Sequence, residues 1–144
     1  MRDRWGGTIV VSRGRLHDTD RLEGLVAEDA GRPAGLLTYR IDAGECEIVT
    51  LDALVRGAGA GTALLQAAAD LARRAGCRRL WLITTNDNLD ALRFYQRRGL
   101  TLAAVHARAV EASRRLKPGI PQVGEHGILI RDEIELERWL EPAE

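Results

Sequence analysis

One stretch, Leu51–Thr62 (LDALVRGAGAGT), constrains the fold of this chain more than any other. The residues leading into it, Glu45–Leu54 (ECEIVTLDAL), read as a strand. From Gly59 onward the period becomes helical. Leu64, Ala67, Ala68, Leu71 and Ala75 share one apolar face, and Gln66, Asp70, Arg73 and Arg74 share the other. Gly76 ends the helix as a glycine just beyond its last turn. A strand that passes through Arg56-Gly57-Ala58-Gly59-Ala60-Gly61 straight into a helix belongs to a sheet with helices packed on it.

The remaining pattern extends that sheet. Residues 8–11 (TIVV) are a β-branched run, and residues 17–22 (HDTDRL) suit a helical turn capped by Asp18 or Thr19. Gly24–Glu28 and Gly35–Ile41 flank the turn residues DAGRP and read as an antiparallel hairpin. Arg79–Thr84 is a short apolar strand. Asn86 or Asn88 caps the next helix, which Gly99 ends with Arg97 and Arg98 in its last turn. Leu100–Ala104 is a strand and Val110–Leu116 a helix. The loop 118–127 is rich in proline and glycine. In the last element Ile134 and Leu136 alternate with Glu133, Glu135 and Glu137, as in a half-buried strand with its charges outward. The expected class is a mixed α/β sheet.

Composition narrows the function. The 144 residues make one domain, 1–144, and 45% apolar content supplies its core. With 21 basic against 21 acidic residues the net charge is zero, which disfavours a disordered chain and a dedicated nucleic-acid binder. No apolar run is long enough to span a bilayer, and no signal peptide opens the chain, so a cytoplasmic protein is expected. Twenty of the 21 basic residues are arginine, Lys117 being the exception, in keeping with a GC-rich coding sequence. Cys46 and Cys77 read as buried free thiols, since two cysteines make neither a disulfide scaffold nor a four-cysteine zinc site. His17, His106 and His126 lie far apart, and no metal is expected.

Glycines between a strand and a helix let the backbone come close to an anion, which the helix N-terminus favours through its unpaired N–H groups and dipole. That chemistry points to phosphate or pyrophosphate. A Walker loop requires Lys before the hydroxyl residue, and Gly61-Thr62 lacks it. A dinucleotide fingerprint requires glycine at position 62 or 64, which are Thr62 and Leu64. The same glycines would also serve a tight turn packed on the sheet.

Two blocks decide between these readings. Arg56-x-x-Gly59-x-Gly61 resembles the acetyl-CoA pyrophosphate loop of the GNAT superfamily of N-acyltransferases. Asn88-x-x-Ala91-x-x-Phe94-Tyr95-x-x-x-Gly99-Leu100 is similar to that family's second cofactor element. The resemblance covers residues 23–107. It implies a mixed, mostly antiparallel central sheet flanked by helices, with a splayed strand pair holding acetyl-CoA as cosubstrate. It also implies acetyl transfer to a primary amine of a small molecule or peptide, within a ternary complex. The alternative is a non-catalytic acyl-CoA sensor or regulatory module. Family members usually open with a strand and a long helix, for which there is no room ahead of Gly24. Either the chain is an N-terminally short version, with Trp5-Gly6-Gly7 at the end of that helix, or TIVV stands in for the missing strand. A sheet without its first strand leaves an open edge near Gly24–Glu28, so a homodimer covering that edge is expected.

By position, the resemblance gives Leu51, Asp52 and Ala53 the backbone that pairs with the pantetheine arm. Arg56, Gly57, Ala58, Gly59, Ala60, Gly61 and Thr62 take the pyrophosphate. Asn88 would hydrogen-bond the pantetheine, cap its helix, or both. Tyr95, with a phenol pKa near 10, is the candidate general acid toward the departing thiolate; a packing ring is the plain alternative. Glu45 and Glu47 share one strand face, and either is a candidate base for the acceptor ammonium; two solvated strand-end charges are the alternative. Asp52 is a weaker candidate. His106 reads as a surface histidine or an acceptor contact, and Glu125-His126 carries no assigned role.

Overall fold

The computed structural model describes residues 9–12, 15–18, 22–29, 32–53 and 59–142. Arg56, Gly57 and Ala58 of the loop, and Trp5–Gly7, lie outside the described residues. The strands are β1 (Ile9–Ser12), β2 (Arg15–Asp18), β3 (Glu23–Asp29), β4 (Arg32–Asp42), β5 (Glu45–Ala53), β6 (Arg79–Thr85), β7 (Thr101–His106) and β8 (Glu133–Trp139). The helices are α1 (Ala60–Arg74), α2 (Leu89–Arg97) and α3 (Ala109–Leu116). β1 and β2 form a separate antiparallel ribbon. The other six strands are hydrogen-bonded in the order β3-β4-β5-β6-β8-β7, with β3–β4, β4–β5 and β7–β8 antiparallel. This is the mixed α/β class that the sequence pattern predicts, with the mostly antiparallel sheet that the family resemblance implies.

One expectation fails at the start. Residues 17–18 are not a helical turn but the end of β2, where His17 pairs with Val10 and Asp18 with Ile9. A single helical turn fixes several dihedrals for one hydrogen bond, whereas β1 offers Arg15–Asp18 a ladder of partners.

The chain groups into two compact units, Arg21–Trp81 with Arg138–Glu144, and Met1–Asp20 with Leu82–Glu137. In the first, β3, β4 and β5 form a meander and α1 packs on all three. The face of β4 that meets α1 carries Gly35, Leu37 and Tyr39. A β-carbon on Gly35 would lie 2.9 Å from Leu64 Cδ1 and 3.1 Å from Ala60 Cβ, so glycine is what lets the helix come down on the strand. The buried face of α1 is Leu64, Leu65, Ala68, Ala69 and Ala72, with Ala60 and Gly61 at its start. The sequence pattern placed Ala67 and Ala75 on it, but both are exposed. The stripe is rotated because small residues, Ala69 and Ala72, fill the close contact that longer side chains would hold open. β4 carries an extra residue, Ala34, opposite the junction of Ala27 and Glu28. The neighbouring Pro33 has no N–H for the ladder and sits where the register is interrupted.

α1 ends as the sequence pattern predicts. Gly76, at φ 83°, donates to Arg73 O, and Cys77 donates to Ala72 O, the paired closure of a Schellman motif. Cys46 and Cys77 are buried free thiols. Burial, with Cys77 and Glu47 nearby, pushes the Cys46 thiol up to about 12.

In the second unit β7 pairs with β8. The outward charges predicted for β8 are a second correction. Glu133 is 2% exposed and Glu135 is 7% exposed. Ser113 Oγ of α3 donates to Glu133 at 3.2 Å, and His106 Nε2 of β7 lies 2.9 Å from Glu135 Oε1. Alternation along one strand is blind to such partners on other elements. His106 is accordingly half-buried and paired rather than a surface residue.

Gly35→Val places methyl groups against α1 and the Asp52 carbonyl. It is expected to lower folding stability by about 1–3 kcal/mol. The measurement is the urea midpoint, which should drop at unchanged slope; an unchanged midpoint would mean that α1 does not lie against this strand.

Candidate active site

The described part of the glycine loop is the start of α1. Gly59 occupies the N-cap position at φ 75°, a conformation that favours glycine, and among the described residues nothing lies within 4 Å of where its β-carbon would be. No side chain caps this end, and the first turn holds no acidic residue. A 15-residue helix therefore begins with N–H groups and a dipole end that no side chain of the described residues caps. That arrangement suits an anion, with Ala60 and Gly61 small enough for close backbone approach and Thr62 exposed beside them.

β5 leads to that loop, and its register is interrupted. Thr38 of β4 pairs with Thr50, while the next residue, Tyr39, pairs with Ile48, so Val49 is an extra residue in β5. A bulge of this kind resets the alternation of side chains. Ahead of it Glu45 and Glu47 lie opposite Asp42 and Arg40; beyond it Thr50 and Asp52 lie opposite Thr38 and Leu36. Residues directly opposite share a face. Glu45, Glu47, Thr50 and Asp52 are thus all on the face away from α1, although odd and even numbers would put them on opposite faces of a regular strand. Cys46, Ile48 and Leu51 take the α1 face. The Thr38 and Thr50 hydroxyls are 2.6 Å apart on the polar face. Strict alternation paired Glu45 with Glu47 correctly, but could not find Thr50 and Asp52 beside them.

The two candidate bases differ in their surroundings. Glu45 Oε1 accepts from Arg79 Nη1 at 3.1 Å, and Arg79 also lies 5.4 Å from the Trp81 ring centre. Glu45 is thus held by a cation instead of standing as the free base or solvated charge expected. Glu47 is 5% exposed. Asp52 is half-buried. The backbone of Leu51–Ala53 is paired to Leu37–Gly35 along its β4 side.

In the other unit Asn88 caps α2, its Oδ1 accepting from Ala91 N at 3.1 Å. Tyr95 is on the same helix, its ring edge-on to Phe94 at 5.3 Å. Burial pushes the Tyr95 phenol up to about 12, above the ordinary value expected. Asn88 and Tyr95 are seven residues apart and share a helix face.

Asn86 and Asp87 escaped the sequence reading as functional candidates. Asn86 Oδ1 accepts from Arg131 N and Asp132 N, and its Nδ2 donates to Leu129 O. Asp87 Oδ2 accepts from Glu125 N at 3.0 Å. The only local signal was a run of short polar residues after a strand, Thr84-Thr85-Asn86-Asp87-Asn88; the partners lie about forty positions further along the chain. Among the described residues no helix is long and apolar enough to cross a membrane, and no group of three or more His, Cys, Asp or Glu is placed to hold a metal.

Comparison with known proteins bears on this geometry. The family model described as "Acetyltransferase (GNAT) family" matches residues 5–100. The uncharacterized protein YdhI of Bacillus subtilis is 49% identical over 131 residues, covering 90% of this chain and 82% of its own length. Among solved structures, the IAA acetyltransferase from Bacillus cereus superposes with a TM-score of 0.72 at 25% identity, over 85% of this chain and 80% of that one. A Bacillus subtilis acetyltransferase in complex with CoA shares the fold, with a TM-score of 0.72 at 23% identity over 85% of this chain and 79% of that one. With its glycine-led helix, its Asn88–Gly99 block and its sheet order, the chain belongs to the GNAT acetyltransferase family.

Proposed function

We propose that this protein is an N-acetyltransferase that moves the acetyl group of acetyl-CoA directly to a primary amine of a small molecule or peptide. The observation that carries the reading is the uncapped, acid-free N-terminus of α1 behind a left-handed glycine. It fits a pyrophosphate, and the neighbour solved with CoA supports that choice of ligand. Arg56, Gly57 and Ala58 would complete the cradle with Gly59–Thr62, and Asn88 would hold the pantetheine amide alongside its capping role.

The chemistry assigns one task to each residue. An amine reaches the site as ammonium, and Glu47, directly or through water, takes its proton. Glu47 is preferred to Glu45 because it is the more buried carboxylate of the two on that face. Asp52 stands in reserve on the same face. As the amine nitrogen bonds the acetyl carbon, the carbon–sulfur bond breaks. A backbone N–H of the Leu51–Ala53 stretch stabilises the carbonyl oxygen as it gains charge. Tyr95 donates its hydroxyl proton to the leaving sulfur, giving CoA as the thiol. A phenol held at about 12 is a weak acid; it enters each turnover protonated across the working pH range, and the second proton that the amine nitrogen loses as the amide forms restores it.

Acetyl-CoA is expected to raise the melting temperature by mass action. Gly59→Glu should abolish the shift, while Gly59→Ala, equally strained in its backbone but uncharged, should keep part of it. A full shift in Gly59→Glu would refute the cradle.

Turnover tests the catalytic roles, with the acceptor found by mass spectrometry of a pooled-amine reaction. Tyr95→Phe and Glu47→Gln are each expected to lower turnover by roughly 10²-fold at nearly unchanged acetyl-CoA affinity. The loss in Tyr95→Phe should shrink for a thioester with a more acidic thiol. Because the Tyr95 pKa is raised, no alkaline limb below about pH 10 should disappear in Tyr95→Phe. Binding of acetyl-CoA without transfer to any amine would favour the sensor reading.

β3 ends the sheet order, with Val26 exposed on it. A second copy of the chain covering this edge gives a homodimer. Light scattering at micromolar concentration should show it, and a monomer there would rule it out.

A further inference from the structure

Between α3 and β8 the chain forms a small hairpin, Gln122–Ile130. Ile130 N donates to Gln122 O, Gly124 N donates to Ile128 O, and Val123 bridges Leu129. Three side chains hold it. Arg114 Nη2 donates to Pro121 O and Ile130 O at its base. Asn86 engages Leu129, Arg131 and Asp132 along its return strand. Asp87 takes the Glu125 amide at its tip.

The tip contact is unusual. Asp87 is 5% exposed, yet its Oδ1 has no hydrogen-bond partner among the described residues. A buried carboxylate oxygen left unpartnered is costly, and an asparagine or an apolar residue would fill the same space at less cost. The fit is also closed to side chains. A β-carbon on Gly124 would lie 2.1 Å from Asp87 Oδ2 and 2.6 Å from Ile130 Cγ1. Asp87 and Gly124 therefore form a joint that serves the placement of the hairpin tip at the expense of stability. The tip itself presents the exposed side chains of Glu125 and His126. The joint is one residue from Asn88, at the start of the helix that bears Tyr95.

We propose that Asp87 is a positioning residue for acetyl transfer: through the Glu125 amide it fixes the Gln122–Ile130 hairpin beside Asn88, where the hairpin forms one wall of the acceptor's approach. This rests on the N-acetyltransferase reading, with Asn88 on the donor side. Asp87 touches neither substrate and acts through the hairpin it holds.

The test uses the full chain, with Asp87→Ala and Gly124→Ala to break the joint and Asp87→Asn to restore it, since the asparagine carbonyl can still accept from Glu125 N. Three quantities are read: amide hydrogen exchange over 118–132, acetyl-CoA affinity by calorimetry, and kinetics with an amine identified from the pooled reaction. Asp87→Ala and Gly124→Ala should each speed exchange across the hairpin by about tenfold or more while α1 stays protected. They should raise KM for the amine by about tenfold with kcat and acetyl-CoA affinity within about twofold. The double variant should add little, because both changes break one contact. Asp87→Asn should return exchange and KM toward the wild type. Unchanged exchange in both joint-breaking variants overturns the proposal. So does faster exchange with an unchanged KM, or a loss of acetyl-CoA affinity as large as the change in KM. A wild-type chain that fails to bind acetyl-CoA overturns the acetyltransferase reading instead, whatever the exchange data show.

Discussion

The arrangement on β5 depends on one extra residue. Paired regularly, without the bulge that absorbs Val49, the strand would carry Glu45 and Glu47 on one face and Thr50 and Asp52 on the other, against α1. Two polar groups would then face the alanine and leucine side of the helix, where a buried group without partners is expensive. With the bulge, the α1 face stays apolar and the opposite face gathers its carboxylates and threonines. One bulge thus reconciles a packed helix with a polar working face on the same strand. Bulges commonly re-aim side chains next to functional sites.

α1 shows the same economy from end to end. Its C-terminus is closed by Gly76 and Cys77, which satisfy the carbonyls of the last turn. Its N-terminus is left open: Gly59 supplies the turn but no capping oxygen. A serine or aspartate cap would favour the helix over glycine by only roughly a few tenths of a kcal/mol, and at φ 75° its side chain would be strained. It would also occupy the amides that an anionic ligand needs. Along the middle, Ala68, Ala69 and Ala72 are small enough to let the helix lie close over the meander, with Gly35 giving way beneath its first turn.

Much of this was legible in the sequence because it is local. The change of period at Gly59, the glycine closures at Gly76 and Gly99, the Asn88 cap and the spacing of the two blocks are all read within a dozen residues. What escaped notice depends on residues far apart in the chain. The bulge at Val49 exists only in pairing with β4. Glu133 and Glu135 look like solvent-facing charges until α3 and His106 supply their partners. Glu45 looks like a base until Arg79, 34 positions later, is seen to hold it. Asp87 looks like an ordinary turn residue until the Glu125 amide meets it, 38 positions on. The raised Tyr95 phenol is of the same kind, since its cause is burial and not any neighbour in the chain.

The two thiols have a practical consequence. Cys46 and Cys77 are the only cysteines of the chain, and both are buried with their thiols pushed up. Thiolate is the reactive form, so each is shielded twice, by access and by protonation. The native protein is consequently a dark background for maleimide chemistry. A single cysteine introduced on an exposed position can take a fluorophore or spin label without first removing the natural pair, and Cys46 and Cys77 can remain as the packing residues they are.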